Sequence, residues 1–237
     1  MVEARPTNGE DPGAVFARAE AAVAAGNADL SSLGYWRAVA RVKRDPALVE
    51  RWAETAGRID TAAFRRGVRL RVPVGVGNGL LLLGTAVGVV AAAIGRTSSS
   101  PVVAGLALVA AGAIWSVSLH SLAHWVAGRV VGIRFTDYFL AGSPLPRPGV
   151  KTDYATYLRA DPNARAWMHA SGAIATKLAP FAALALYPGS NAPAWSAWAL
   201  LGLGLLQIAT DVLFSVRSSD WKKFRRERAV ARARDVR

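Results

Sequence analysis

The sequence predicts an all-α, polytopic membrane protein with about four transmembrane helices, a small helical N-terminal region and a short β-hairpin in the 129–165 loop. Three observations carry that reading. Charge is segregated: residues 72–95 and 102–128 hold no Asp, Glu, Lys or Arg, 166–177 hold only Lys177, and 178–216 hold only Asp211. These runs approach or exceed the ~20 apolar residues that cross a bilayer as a helix. They are also too long and too uniformly apolar for barrel strands, which leaves helices, whose backbone groups are satisfied within the segment.

In chain order, residues 1–10 are polar and expected to be disordered. Asp11-Pro12 supplies an N-cap and a first-turn proline for a helix carrying Val15, Phe16, Ala19 and Ala22 as far as Gly26-Asn27. A second helix is expected over 31–43, with Leu33, Tyr35, Trp36 and Val39. Asp45-Pro46 opens a third, with Leu48, Val49 and Trp52. Together these form a cytosolic helical region, 1–71, whose amphipathic faces pack on one another. A four-span membrane domain follows, 72–216. Its spans are placed at 72–95, 102–128, 166–187 and 194–216, the third introduced by Asp161-Pro162. Within the loop, 133–140 reads as extended, Pro144 to Gly149 as a turn, and 150–157 as the returning segment. A basic tail, 217–237, closes the chain with Lys222, Lys223, Arg225, Arg226 and Arg228.

Lys and Arg crowd the N-terminal flank, the 129–165 loop and the tail, whereas the two short loops hold only Arg96. The positive-inside rule then puts both termini and the long loop in the cytoplasm, in a cell membrane. The net charge of +13 lies beside the apolar spans. Membrane lipid is therefore the expected partner of that charge, and nucleic acid is not. With no cysteine in the chain, disulfides, thiolate catalysis and thiolate zinc sites are excluded. No cleavable signal peptide is expected, because the first ~20 residues lack an apolar core.

The second span ends in Leu119-His120-Ser121-Leu122-Ala123-His124-Trp125. Residues at i and i+4 share one helix face, so both imidazoles can reach one ion. Only three histidines exist, and the third, His169, opens the third span. His124 lies five residues before Arg129 and His120 nine; Asp211 lies six before Arg217, and His169 four after Arg165. At 1.5 Å per residue, three spans bring polar groups to one leaflet. Ionisable residues inside a membrane are expensive and mark function. Two imidazoles and a carboxylate form a zinc-type donor set, which makes His120, His124 and Asp211 the candidate ligands and His169 a further one. Lys177 is the competing partner for Asp211, through an ion pair reached by snorkelling.

The segment from His120 to His124, continuing through Trp125-Val126-Ala127-Gly128-Arg129 to Ile133, resembles the H-E-x-x-H helix of the site-2 protease family of intramembrane zinc metalloproteases. Ser171-Gly172-Ala173-Ile174-Ala175-Thr176 is similar to that family's Ala-Gly-Pro-x-x-Asn segment, with Ala173 for Pro and Thr176 for Asn. Asp211-Val212 stands where the family has Asp-Gly. The resemblance covers about 102–216. It implies zinc at His120, His124 and Asp211, and an extended loop segment that pairs with an unwound substrate by strand addition.

The chain departs from the family at Ser121, which occupies the position of the general-base Glu. A hydroxyl cannot take a proton near neutral pH, and general-base work contributes ~10²–10⁴-fold. No glutamate lies between Glu54 and Glu227, and Asp137 and Asp153 are read as the other nearby carboxylates. Two functions follow. One is a site-2 protease-like zinc metalloprotease homologue, weakened or inactive in peptide hydrolysis. The other is a non-catalytic, metal-bound scaffold that binds transmembrane segments.

Overall fold

The computed structural model describes residues 10–141, 147–213 and 219–235. The elements run α1 (Pro12–Ala24), α2 (Tyr35–Val42), α3 (Pro46–Gly67), β1 (Leu70–Pro73), α4 (Val74–Thr97), α5 (Pro101–Val130), β2 (Phe135–Ala141), β3 (Arg147–Thr152), α6 (Tyr154–Arg159), α7 (Pro162–Leu184), α8 (Ala194–Leu213) and α9 (Asp220–Asp235). By contacts the chain forms two compact units. One holds α1–α3, the three strands, α6 and the end of α9; the other holds α4, α5, α7, α8 and α9 through Glu227. The 129–165 loop thus packs with the N-terminal helices, a grouping the linear division at residues 71 and 216 does not anticipate.

In the first unit, Asp45 caps α3 by accepting from the N–H groups of Ala47 and Leu48, with Pro46 in the first turn. Asp11 holds the same position before α1 without a side-chain capping bond. The expected second helix is shorter: Asp29 accepts from the N–H groups of Ser31 and Ser32 at 3.0 and 3.4 Å, holding a turn, and α2 starts after Gly34 at φ +75°. Phe16, Tyr35, Val42, Ala53, Ile59 and Leu158 meet in one apolar core. Leu158 comes from α6, a helix in the returning part of the loop. Asp153 caps it by accepting from Ala155 and Thr156.

The fold is helical with a small antiparallel sheet of order β1-β2-β3. β2 and β3 are the expected hairpin, although Pro148 and Gly149 lie inside β3, and Pro144 to Pro146 fall outside the described residues. β1 is an addition, pairing Leu70 with Leu140 and Val72 with Tyr138. Its four residues sit between an arginine-rich flank and an apolar run, too short to show a period of two. Gly149 faces Phe139 across the pair, and a Cβ there would lie 2.6 Å from the ring at Cζ. The same ring meets Phe64 of α3 edge-on at 5.1 Å. Lys151 of β3 forms an ion pair with buried Asp60. Burial pushes the Asp60 carboxyl above its usual range, and Lys151 opposes that shift.

In the second unit two helices, α4 with 24 residues and α5 with 30, are long and apolar enough to cross a membrane. α4 alone measures about 36 Å at 1.5 Å per residue. Its large side chains, Leu80, Leu83, Val87, Val90 and Ile94, are exposed, while Gly77, Gly88, Ala92 and Gly95 are buried. Small residues inside and large ones outside is the pattern of helices that pack in lipid. Trp115 of α5 fills the space over Gly88 and donates to the Thr85 carbonyl at 3.2 Å. Leu108 fills the space over Gly95. On its other side, α5 uses Gly112 to admit Leu200 of α8 and the backbone at Pro180 of α7. α7 and α8 occupy the stretches read as the third and fourth spans; residues 214–216 lie outside the described residues.

A Cβ at Gly57 would lie 2.8 Å from the Ala155 nitrogen, where α3 and α6 touch. Gly57→Ala is expected to destabilise the first unit by roughly 1–3 kcal/mol, the range for overpacking. Thermal melts followed by circular dichroism check this; an unchanged melting temperature would contradict the packing described.

Candidate metal centre

α5 continues unbroken through His120 and His124, so the i, i+4 spacing stacks the two rings, centroids 4.7 Å apart and edge to face. His124 is buried and His120 partly so. The wall behind them is the segment 171–176 of α7. His124 Nδ1 lies 2.7 Å from the Met168 carbonyl. A carbonyl can only accept, so Nδ1 carries the proton and donates. His120 Nδ1 lies 2.8 Å from Thr176 Oγ1. That hydroxyl donates to the Gly172 carbonyl at 3.0 Å, so it accepts from His120 Nδ1–H. Both neutral rings therefore keep an Nε2 lone pair outside those two bonds.

Both lone pairs face Asp220, the first residue of α9. Its Oδ2 is 3.2 Å from His124 Nε2 and 3.6 Å from His120 Nε2, while Oδ1 accepts from Lys223 at 3.1 Å. One ligand atom from each of the three residues lies within 4.8 Å of the others. Burial works against a charged Asp220, while the Lys223 ammonium beside it favours the carboxylate.

Three acceptors converging in an apolar helical unit can share a cation, which relieves the desolvation penalty of buried acceptors. One proton on a ring serves one histidine; one metal ion serves both. The spacing fits an ion. Two donor atoms each 2.0–2.1 Å from a tetrahedral centre lie about 3.3–3.4 Å apart, close to the 3.2 and 3.6 Å between Asp220 Oδ2 and the two Nε2 atoms. The outer bonds fit too, because ligating histidines commonly give their second N–H to a carbonyl or another acceptor. This His-His-Asp group can hold a metal ion.

The third carboxylate is thus not the one the sequence points to. Asp211, expected as a ligand, forms an ion pair with Lys177 instead, and its Oδ2 also accepts from Trp221 Nε1 at 3.1 Å. The competing ion pair is the arrangement adopted. Lys177 reaches Asp211 while also donating to the Ala173 carbonyl at 3.1 Å. His169 lies beside the three, its ring centroid 6.5 Å from that of His124, and is not one of them. Asp137 belongs to β2 in the other unit, and Asp153 there caps α6. Ser121, between the two histidines, is partly buried.

Asp220 escapes the sequence reading because it lies in the basic tail, past the last apolar run. A signal was present: Ser218-Ser219-Asp220-Trp221 is a helix-start pattern, with the single acid of the stretch 217–226. The N-terminus of a helix also suits a carboxylate electrostatically.

No family model, no curated protein and no solved structure matches this chain.

Gly172 makes the His124 position possible: a Cβ there would overlap the ring, nearest to Nε2 and then to Cδ2 and Cε1. Gly172→Ala must displace the ring, and Nε2 with it. The expected outcome is a divalent-ion affinity at least roughly tenfold weaker, the low end for lost outer contacts, with helix content unchanged. Metal titration followed by calorimetry tests it, and wild-type affinity in the variant would contradict it.

Proposed function

We propose that this chain is an integral membrane zinc protein of site-2 protease-like design, in which His120, His124 and Asp220 hold the ion and peptide hydrolysis is weak because Ser121 stands in place of a general base. The observation that carries the reading is the convergence of two Nε2 lone pairs and a carboxylate oxygen, each histidine fixed by its Nδ1 bond. Two imidazoles and one carboxylate, with a coordination position left over, are a donor set of catalytic zinc sites. When bound, such an ion acidifies water and polarises a carbonyl oxygen.

The membrane setting rests on α4 and α5 with their exposed large apolar faces. We take α7 and α8 as the third and fourth spans, with both termini cytoplasmic, because Lys and Arg cluster on the segments that this topology places inside. The resemblance to the protease family is carried by His120 to His124, by Gly172 and Thr176 at the histidines, and by the sheet built on the 129–165 loop. Its partners in this reading are lipid and transmembrane segments of other proteins.

The chain's own residues define what it does poorly. The second unit contains three carboxylates, and each is engaged: Asp220 with the histidines and Lys223, Asp211 with Lys177 and Trp221, Glu227 with Arg165. None is left to accept a proton in the role of the absent Glu. That same observation favours a second reading, a non-catalytic metal-bound scaffold that binds transmembrane segments without cutting them.

Purified wild-type protein is expected to carry about one zinc per chain, and Asp220→Ala to lose it; elemental analysis measures both. Ser121→Glu is expected to raise cleavage of a membrane-embedded reporter by ~10²–10⁴-fold over wild type, the span of general-base catalysis. Zinc retained but no cleavage in either form would favour the scaffold. Zinc content unaffected by Asp220→Ala would reject the site.

A further inference from the structure

We infer that Lys177, Asp211 and Trp221 form a positioning clamp that seats the first turn of α9 so that Asp220 meets the two histidines. This rests on the reading of His120, His124 and Asp220 as a metal site and adds residues that touch no ligand atom of it.

An ion pair between two apolar helices is expensive to desolvate, and a well-packed apolar pair would often be at least as stable. The retained pair has a use the geometry displays. Asp211 Oδ2 receives both Lys177 and the Trp221 indole N–H, the latter at 3.1 Å. Lys177 Nζ also stands 5.9 Å from the Trp221 ring centroid. The indole also meets Phe224 edge to face at 5.8 Å, and Phe224 meets Trp167 of α7 at 5.4 Å. Trp221 is therefore gripped by its N–H, by its face and by a neighbouring ring.

Trp221 follows Asp220 directly in sequence. Neighbouring helix residues point about 100° apart, so fixing one side chain fixes the roll of the turn and the direction of the other. A roll of ~10° moves a group ~5 Å from the helix axis by about 0.9 Å. Metal–ligand distances tolerate about 0.2 Å. Asp220, brought from outside the apolar helices, lacks the i, i+4 scaffold that fixes the histidines, and the clamp supplies the missing constraint.

The test uses the full chain in detergent, with zinc affinity measured by competition against a chromophoric chelator. Trp221→Phe removes only the indole N–H, and Asp211→Asn removes the ion pair. Each is expected to weaken zinc by roughly 10–100-fold and to shift the cobalt(II) absorption bands, with the double variant little worse than either single one. Asp211→Glu should recover most of the affinity. Because the chain has no cysteine, Ser219→Cys gives a unique thiol beside Asp220. In zinc-free protein its maleimide labelling should be several-fold faster in Trp221→Phe and Asp211→Asn backgrounds. Stoichiometric wild-type zinc with unchanged affinity in both variants would overturn the clamp and leave the metal site standing. A lower melting temperature with an unchanged cobalt spectrum would also overturn it, as mere structural support. No zinc in the wild type would remove the metal site and the clamp with it.

Discussion

Two hydrogen bonds from histidine Nδ1 atoms set the chemistry of this molecule. Met168 offers a carbonyl and Thr176 a hydroxyl whose own proton is committed to Gly172. Each acceptor forces a tautomer, and each tautomer aims an Nε2 lone pair at Asp220. Without those bonds the rings would be free to turn and to protonate at either nitrogen. With them, three acceptors share a space that a single cation can neutralise. The rest of the second unit serves that arrangement. Gly172 clears room for a ring, and the small residues of α4 and α5 let α5 pack closely enough to hold both histidines against α7.

What was legible in the sequence was local. Charge segregation marks the apolar helices because a buried charge is costly wherever it falls, so charge-free runs need no tertiary knowledge. The i, i+4 histidines are legible because 3.6 residues per turn decides their shared face. Gly172 and Thr176 stand out in the sequence only through a resemblance, yet both touch the histidines. The carboxylate of the candidate group was not legible. A carboxylate in an apolar run reads equally as a ligand or as an ion-pair partner, and the choice depends on whether Lys177 can reach Asp211. Asp220 sits among basic residues, where an acid looks like ordinary surface charge. β1 and α9 were missed for a related reason: the strand is too short to show a period, and the helix is so rich in arginine that its apolar residues form no stripe.

The engaged carboxylates draw the line between holding an ion and using it. Asp211 and Glu227 are paired with cations in the unit that contains the histidines, and Asp220 faces the rings. Ser121 contributes a hydroxyl where proton abstraction would need a carboxylate. In the proposed zinc protein, binding is built redundantly, through outer hydrogen bonds and a seated helix, while proton transfer has no dedicated group. A single substitution therefore separates the two functions, since a glutamate at 121 changes the second and leaves the first untouched.

The central claim is that both imidazoles and one carboxylate meet on a single ion. X-ray absorption at the zinc edge of the purified, zinc-loaded protein addresses it directly. The expected spectrum has a first shell of nitrogen and oxygen near 2.0–2.1 Å, with outer-shell scattering from two imidazoles and no sulfur. Scattering from one imidazole or none would contradict it.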